Sequence, residues 1–259
     1  MTFPTPWAWY RGDDLAGSHS ELDRVDEWSD RAGGLGTSVR QTEAFPDRQA
    51  RFTSDAINGQ PGVIGPVGTG MVRYNATVPI ANMPSDGMTV AMIVGDMDGT
   101  TSQNSMVGID SVSSIATFGT GYQNAEGGFE VVEPGLTLSG GAHLLITTIS
   151  DTHLRLWIDG SQVGEVSASY DPDPWSMGEG LSQFGVGESE VVGTDFIYWN
   201  WVLSEEELCG VHQYSYERYG TDTECGPPPS ATGIPLRLIT RTSQQLPNAP
   251  RVPGPNTYW

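Results

Sequence analysis

The sequence contains no lysine, so all twelve of its basic residues are arginines. Against them stand 32 acidic residues, and the formal net charge at pH 7 is therefore −20. Affinity for nucleic acid depends on clustered cations that displace counterions from phosphate groups. We therefore expect that this protein has no nucleic-acid partner.

Long hydrophobic runs are also missing. The longest apolar stretches, such as 88–94 and 144–149, are far shorter than the roughly 20 residues that span a bilayer. The N-terminus has neither the basic segment nor the apolar segment of a secretory signal. We therefore expect no membrane insertion, and a protein that either stays inside the cell or leaves it without a signal peptide.

Cysteine is scarce, with two residues in a chain of 259. A chain of this length buries enough surface to be stable without a disulfide framework or a structural metal. Cys209 and Cys225 leave two alternatives open, a disulfide bond or two free thiols. Eleven helical steps from Cys209 to Gly220 cover about 16 Å, and five extended residues just span the return. A disulfide bond would require an oxidising compartment.

Glycine and proline are abundant instead, with 33 and 18 residues. Between 7 and 202, short apolar runs alternate with turn residues about every ten positions, which is typical of a β-sandwich or barrel. Asp159 and Gly160 form the dipeptide that favours a type I′ hairpin turn, and 150–152 can close a second hairpin. The clearest strands are predicted at 89–94, 106–109, 115–118, 144–149, 154–158, 162–167 and 196–202.

One strong helix follows the last strand. Ser204 and Glu207 have the spacing of a capping box, and Gly220 is a suitable residue for a helix end. We therefore predict a helix over 204–219 that packs against the sandwich and closes a domain of residues 1–225. The last 34 residues contain eight prolines and no acidic residue, and we predict that 226–259 form an extended tail.

Five motifs follow one another in a specific order. They are WAWYRGDD at 7–14, VDEWSDRAG at 25–33, NGQPGV at 58–63, LRLWIDG at 154–160 and DFIYWNWVLS at 195–204. Together they resemble the laminin G-like, concanavalin A-like jelly-roll domains of phage structural proteins and bacterial surface proteins. The resemblance implies an all-β fold, a two-sheet antiparallel jelly-roll sandwich with one C-terminal helix. It implies no single function, because this fold serves lectins, adhesion modules, virion proteins and some glycanases.

A candidate glycan-binding loop combines aromatic rings with carboxylates. Aromatic rings stack on the C–H faces of sugars, and carboxylates accept hydrogen bonds from sugar hydroxyl groups. The alternative is that Trp175 folds back and closes the end of the sandwich. The other tryptophans, Trp157 among them, are expected mainly in the core. The predicted glycan-binding residues are Tyr170, Asp171, Asp173 and Trp175, together with Tyr122.

Metal binding and catalysis have weaker signals. Asp96 and Asp98 are candidate Ca²⁺ ligands, although their loop does not have EF-hand spacing. Such a cluster arises easily by chance among 32 acidic residues, so we expect no cofactor, with Ca²⁺ as the alternative. A glycanase needs two carboxylates across a cleft, and the pair Glu188 and Glu190 lacks the third acid of the usual pattern. We therefore expect that the protein is not an enzyme.

The C-terminal tail has the composition of an assembly segment. It contains an aliphatic stretch, unlike a disordered linker, and its three arginines oppose the charge of the acidic domain. We expect it to dock on a neighbouring subunit or an acidic partner, which predicts a homo-oligomer or attachment to a larger scaffold. The predicted anchors are Leu236, Arg237, Ile239, Arg241 and Trp259.

Three functions remain open from the sequence. The first is a non-enzymatic virion structural protein, in a fibre or on a capsid surface, that binds host glycans and contacts other virion subunits. The second is a secreted or cell-surface carbohydrate-binding or adhesion module. The third is a glycan-cleaving enzyme, against which the missing acid counts. A virion protein is released by lysis without a signal peptide, which favours the first hypothesis.

Overall fold

The computed structural model describes residues 2–34, 38–41, 51–64, 74–75, 87–95, 106–109, 119–123, 129–132, 141–167, 183–184, 192–222 and 225. The chain divides into two units, Met1–Gly226 and Pro227–Trp259. The second unit contains the predicted tail except for Gly226, and it lies outside the described residues. The assembly role of Leu236, Arg237, Ile239, Arg241 and Trp259 therefore stays a prediction.

The described part of the chain contains fifteen strands and two helices. In chain order they are β1 (Ala8–Arg11), α1 (Asp13–Ala16), β2 (Glu27–Ser29), β3 (Ser38–Gln41), β4 (Arg51–Ile57), β5 (Gln60–Ile64), β6 (Tyr74–Asn75), β7 (Met88–Gly95), β8 (Met106–Ile109), β9 (Gly119–Gln123), β10 (Phe129–Val132), β11 (Ala142–Ile149), β12 (His153–Ile158), β13 (Ser161–Ser167), β14 (Gln183–Phe184), β15 (Val192–Trp199) and α2 (Glu205–Tyr219).

The strands form two sheets, and the predicted all-β sandwich with a C-terminal helix is confirmed. The first sheet has the order β13-β12-β11-β7-β15-β5-β4, and β1 also pairs with β15. The second has the order β10-β9-β8-β14-β6-β3-β2. Among the described strands the pairing is antiparallel except between β8 and β9, which pair in parallel.

The first sheet is the middle layer of the domain. Every residue of β7 and β15 is buried, as expected for strands that are covered on both faces. Along β15, Phe196 packs with Trp28 of the second sheet in the core between the sheets. Ile197 and Trp199 point to the opposite face, where they pack with Leu208 of α2. The helix and the second sheet therefore cover opposite faces of the first sheet.

Helix α2 begins and ends as its capping residues predict. The Ser204 hydroxyl accepts a hydrogen bond from the Glu207 backbone N–H, and the Glu207 carboxylate accepts one from the Ser204 N–H, so the capping box is complete. Gly220 follows the helix with a φ of 70°, in the left-handed region that glycine adopts readily. In the described part of the chain, no helix is both long enough and apolar enough to cross a membrane.

The predicted hairpin turn at Asp159 and Gly160 is also present, because both residues have positive φ angles, 50° and 95°. The last strand begins earlier than predicted and also ends earlier, because it spans Val192–Trp199 instead of 196–202. The early end is due to the Thr89 hydroxyl, which donates to the Trp201 carbonyl and accepts from the Leu203 N–H, both at 3.0 Å. These side-chain bonds replace strand pairing and lead the chain into the helix.

Candidate functional site

Most of the residues predicted to bind ligands lie outside the described part of the chain. Tyr122 is in β9, where it pairs with Ile109 of β8 and Glu130 of β10. Among the residues that the structure describes, no group of three or more His, Cys, Asp or Glu residues could hold a metal ion. The metal-binding role of Asp96 and Asp98 therefore stays a prediction. So does the glycan-binding role of Tyr170, Asp171, Asp173, Trp175 and Tyr122.

The two cysteines form a disulfide bond, the first of the two alternatives left open by the sequence. The sulfur atoms of Cys209 and Cys225 are 2.13 Å apart. The bond attaches the chain beyond Gly220 to the second turn of α2. It therefore holds Cys225 against the helix.

A groove of about 330 Å³ lies on the outer face of the first sheet, beside the N-terminal end of α2. Its volume is near the lower end of the range for small-ligand sites, roughly 300–1,000 Å³. We call it the Trp157 groove. It is lined by Arg155 and Trp157 of β12, Gln162 and Glu165 of β13, Glu205 and Leu208 of α2, and by Thr148, Val202 and Leu203.

A β-bulge in β13 directs polar side chains toward this groove. Leu156 of β12 pairs with Gly164 of β13, and the next residue, Trp157, pairs with Gln162. Val163 is therefore the extra residue of the bulge. Val163 and Val166 both pack against the core between the sheets. In a regular strand, residues three apart lie on opposite faces, whereas a bulge brings them to one face. Gln162 is thereby placed opposite Trp157, on the groove side.

Trp157 is half-buried, which differs from the expectation that it belongs to the core. Its ring packs against the hydrophobic cluster that includes the buried face of α2, and it also borders the groove. The signal for this position was present in the sequence. Leu154, Leu156 and Ile158 alternate with Arg155 and Trp157, so the tryptophan shares a strand face with an arginine.

One ion pair lies in the groove. The Arg155 Nε atom is 2.5 Å from Glu165 Oε2, and the two side chains are 34% and 37% exposed. The hydrogen bond from Arg155 lowers the pKa of the Glu165 carboxyl, and the charges of Arg155 and His153 lower it further. Glu165 is therefore ionised at neutral pH. Within the described part of the chain Glu205 has no ion-pair partner, so the groove has an excess of negative charge.

The arrangement is suited to a small polar ligand with apolar faces. An indole ring offers a flat surface for C–H groups. The Gln162 amide already hydrogen-bonds Glu165, and it has a second N–H and further acceptor capacity for a ligand, while the carboxylates of Glu165 and Glu205 accept hydrogen bonds. Such a combination of one aromatic surface and a few convergent polar groups is typical of ligand sites.

No family model matches the sequence, and no curated protein matches it. Solved structures do share its fold. The receptor binding domain of botulinum neurotoxin C/D mosaic serotype has a TM-score of 0.52 at 11% identity, covering 84% of this chain and 55% of that chain. The binding domain of botulinum neurotoxin serotype D has a TM-score of 0.51 at 13% identity, covering 84% of this chain and 54% of the other.

The binding domain of Paraclostridial Mosquitocidal Protein 1 is a third structural neighbour, with a TM-score of 0.50 at 10% identity over 76% of this chain and 52% of the other. The chain thus spans about half the length of each of these three structures. At these identities the similarity is one of fold. The fold and the groove together define a β-sandwich protein with a small polar surface site.

Proposed function

We propose that this protein is a non-catalytic glycan-binding module and that the Trp157 groove is its binding site. The observation that carries the proposal is the half-buried ring of Trp157 beside the polar side chains of Gln162, Glu165 and Glu205. Sugars present apolar C–H faces and hydroxyl groups, and this lining can contact both. The shared fold with a domain described as receptor-binding supports the broader class of binding module.

The groove is held in shape by hydrogen bonds at the start of α2. Glu207 accepts from the Ser204 N–H at 2.8 Å and from the Trp201 indole N–H at 3.3 Å. These bonds fix the helix end that carries Glu205. A site built on a strand pair and a capped helix needs little ordering when a ligand binds, and preorganisation of this kind favours affinity.

Binding without turnover is the second part of the proposal. A glycosidase needs a carboxylic acid that is protonated near neutral pH, which requires a raised pKa. The pKa of Glu165 is instead lowered by the hydrogen bond from Arg155, so Glu165 is unsuited to donate a proton. Release of reducing ends from any bound glycan would contradict this part.

The disulfide bond supports a site of action outside the cytosol, because such bonds persist in oxidising surroundings. We propose that the module works on the surface of a virion or a cell. The virion is favoured by the family resemblance, by the absence of a secretory signal pattern and by the composition of the C-terminal tail. Mass spectrometry of purified particles tests it, and recovery of the protein only as a secreted product of uninfected cells would contradict it.

Assembly through the C-terminal segment belongs to the same proposal. The division of the chain after Gly226 supports a separate role for residues 227–259. Deleting this segment is expected to leave a folded sandwich that no longer forms its oligomer or joins its particle. Light scattering of the full chain and the truncated chain checks this, and an unchanged oligomeric state would show that the segment has no role in self-association.

A glycan array followed by calorimetry of the strongest ligands tests the binding site. Trp157→Ala is expected to weaken binding about tenfold, since aromatic packing is worth about 1 kcal/mol or slightly more, and Trp157→Phe is expected to retain part of the affinity. Tyr216→Ala is the matched control, because Tyr216 is a 53% exposed aromatic residue of α2 that does not line the groove. If a folded Trp157→Ala variant binds as tightly as the wild type, the groove is not the site.

A further inference from the structure

We infer that the Trp157 groove selects uncharged glycans and disfavours those that carry sialic acid, uronic acid or sulfate. This inference rests on the proposed function, and it concerns the class of glycan. It follows from the positions of three charged side chains, Arg155, Glu165 and Glu205, which all line the groove.

The single cation of the lining is already paired. Arg155 bonds Glu165 through Nε at 2.5 Å, so an incoming anion would have to compete with a carboxylate that is part of the protein. Because the charges of Arg155 and Glu165 cancel, Glu205 determines the net charge of the lining. The lining therefore has a formal charge of −1, from one arginine and two glutamates. His153 Nε2 lies 3.6 Å from Glu165 Oε1, but His153 does not line the groove.

The start of α2 does not reverse this balance. A helix N-terminus carries the equivalent of about +0.5 charge. Three consecutive glutamates, Glu205, Glu206 and Glu207, occupy the first turn of α2. Their combined charge exceeds that of the helix dipole, and the whole chain adds a net charge of −20. An anionic glycan is thus repelled both during approach and within the groove.

A neutral sugar meets complementary groups at the same place. Its hydroxyl groups can donate to the carboxylates of Glu165 and Glu205, which have only acceptor atoms when ionised. They can also accept from the Gln162 amide. A sugar carboxylate or sulfate has acceptor atoms only, so it cannot donate hydrogen bonds to the carboxylates of Glu165 and Glu205. It also brings a second negative charge next to theirs.

The expected discrimination is modest and depends on salt. A unit charge about 6 Å away in water changes affinity about threefold, so one sialic acid is expected to weaken binding at least threefold at low ionic strength. At 1 M salt the Debye length falls to about 3 Å. The difference between the two ligands should then largely disappear.

The test is calorimetry with a neutral oligosaccharide that binds on the array and with the same oligosaccharide carrying one sialic acid, in 20 mM and 1 M NaCl. Wild-type protein is expected to bind the neutral form at least threefold more tightly at low salt. Glu205→Gln should reduce that ratio, and the matched control Glu206→Gln, one residue along the same helical turn, should change it less.

The outcomes separate this inference from the proposal beneath it. Equal or tighter binding of the sialylated form, lost in Trp157→Ala, would overturn the neutral selectivity and leave the groove as a glycan site. The inference would also be wrong if Glu205→Gln and Glu206→Gln changed the ratio of the two affinities equally. The charge at the groove would then not be responsible for the selectivity. If neither oligosaccharide binds, or if Trp157→Ala binds as tightly as the wild type, the groove is not a glycan site.

Discussion

The hydroxyl group of Tyr214 on α2 donates a hydrogen bond to Oδ2 of Asp195 on β15. Asp195 has no exposure to solvent. It lies at an irregularity in the pairing of β15 with β7, between Gly193 and Asp195. Burial raises the pKa of Asp195, against the opposing effects of the bond from Tyr214 and the charge of Arg11. The contact between sheet and helix therefore contains a carboxyl group whose ionisation is unfavourable in the folded state.

This raised pKa predicts that the domain loses stability as the pH rises. The ordinary pKa of the Asp195 carboxyl is 3.8, so above about pH 4 the folded state binds more protons than the unfolded state. The free energy of unfolding then falls with increasing pH until the folded pKa is passed. Asp195→Asn keeps an oxygen acceptor for Tyr214 and removes the titration.

Urea denaturation at several pH values from pH 4 to pH 8 measures the effect. The unfolding free energy of Asp195→Asn, relative to that of the wild type, is expected to increase from pH 4 upward until the folded pKa is passed. A difference that stays constant over the whole range would show that burial does not raise the pKa of Asp195.

His212 on α2 predicts a pH dependence of the opposite sign. Its side chain is 2% exposed, and burial lowers its pKa from 6.5, although the charge of Asp159 acts against this. Below pH 6.5 the unfolded state binds more protons, so the wild type loses stability as the pH falls toward the folded pKa. His212→Gln should lose less between pH 7 and pH 5, as measured by urea midpoints. A loss in His212→Gln equal to that of the wild type would contradict the prediction.

Two glycines that flank α1 form a matched pair for thermal denaturation. A Cβ atom at Gly12 would lie 2.0 Å from the Pro61 carbonyl oxygen, whereas one at Gly17 would meet nothing within 4 Å. Gly12→Ala is expected to destabilise the domain by about 1–3 kcal/mol through overpacking. Gly17→Ala should be neutral or slightly stabilising, because alanine lowers the entropy of the unfolded chain. Equal melting temperatures for the two variants would show that the close approach to Pro61 is absent.

The disulfide bond is expected to stabilise the domain. Cys209 and Cys225 are separated by 16 positions, and a loop of about this size corresponds to about 3 kcal/mol. The double substitution of both cysteines by serine should lower the free energy of unfolding by that amount. Reductant should destabilise the wild type to the level of the double variant and leave the variant unchanged. A wild type insensitive to reductant under denaturing conditions would contradict the bond.

Local signals in the sequence predicted the local structure well. The type I′ turn depends on two adjacent residues, Asp159 and Gly160, which tolerate positive φ angles. The helix start depends on Ser204 and Glu207, which bond to each other's backbone. The end of β15 could not be predicted in this way. It depends on the Thr89 hydroxyl, which is more than a hundred positions away.

The candidate site was predicted less well than the fold. Alternation along β12 places Arg155 and Trp157 on one face, but alternation does not reveal which face is covered. The bulge at Val163 was also missed, because it departs from the period of two on which strand prediction rests. The predicted glycan loop at 170–175 remains a second hypothesis beside the Trp157 groove.

By itself the sequence determined the β-sandwich class, the ends of α2 and the strongly acidic charge, because strand alternation, helix caps and composition are local or additive properties. Only the tertiary structure decided that Trp157 borders a groove, that Asp195 is buried against Tyr214 and that Cys209 is bonded to Cys225. The first two relationships join separate elements that pack against each other, and the disulfide bond joins α2 to the chain that follows it. The pattern of side chains along a single strand or helix does not specify which elements pack together, so these relationships could not be derived from it.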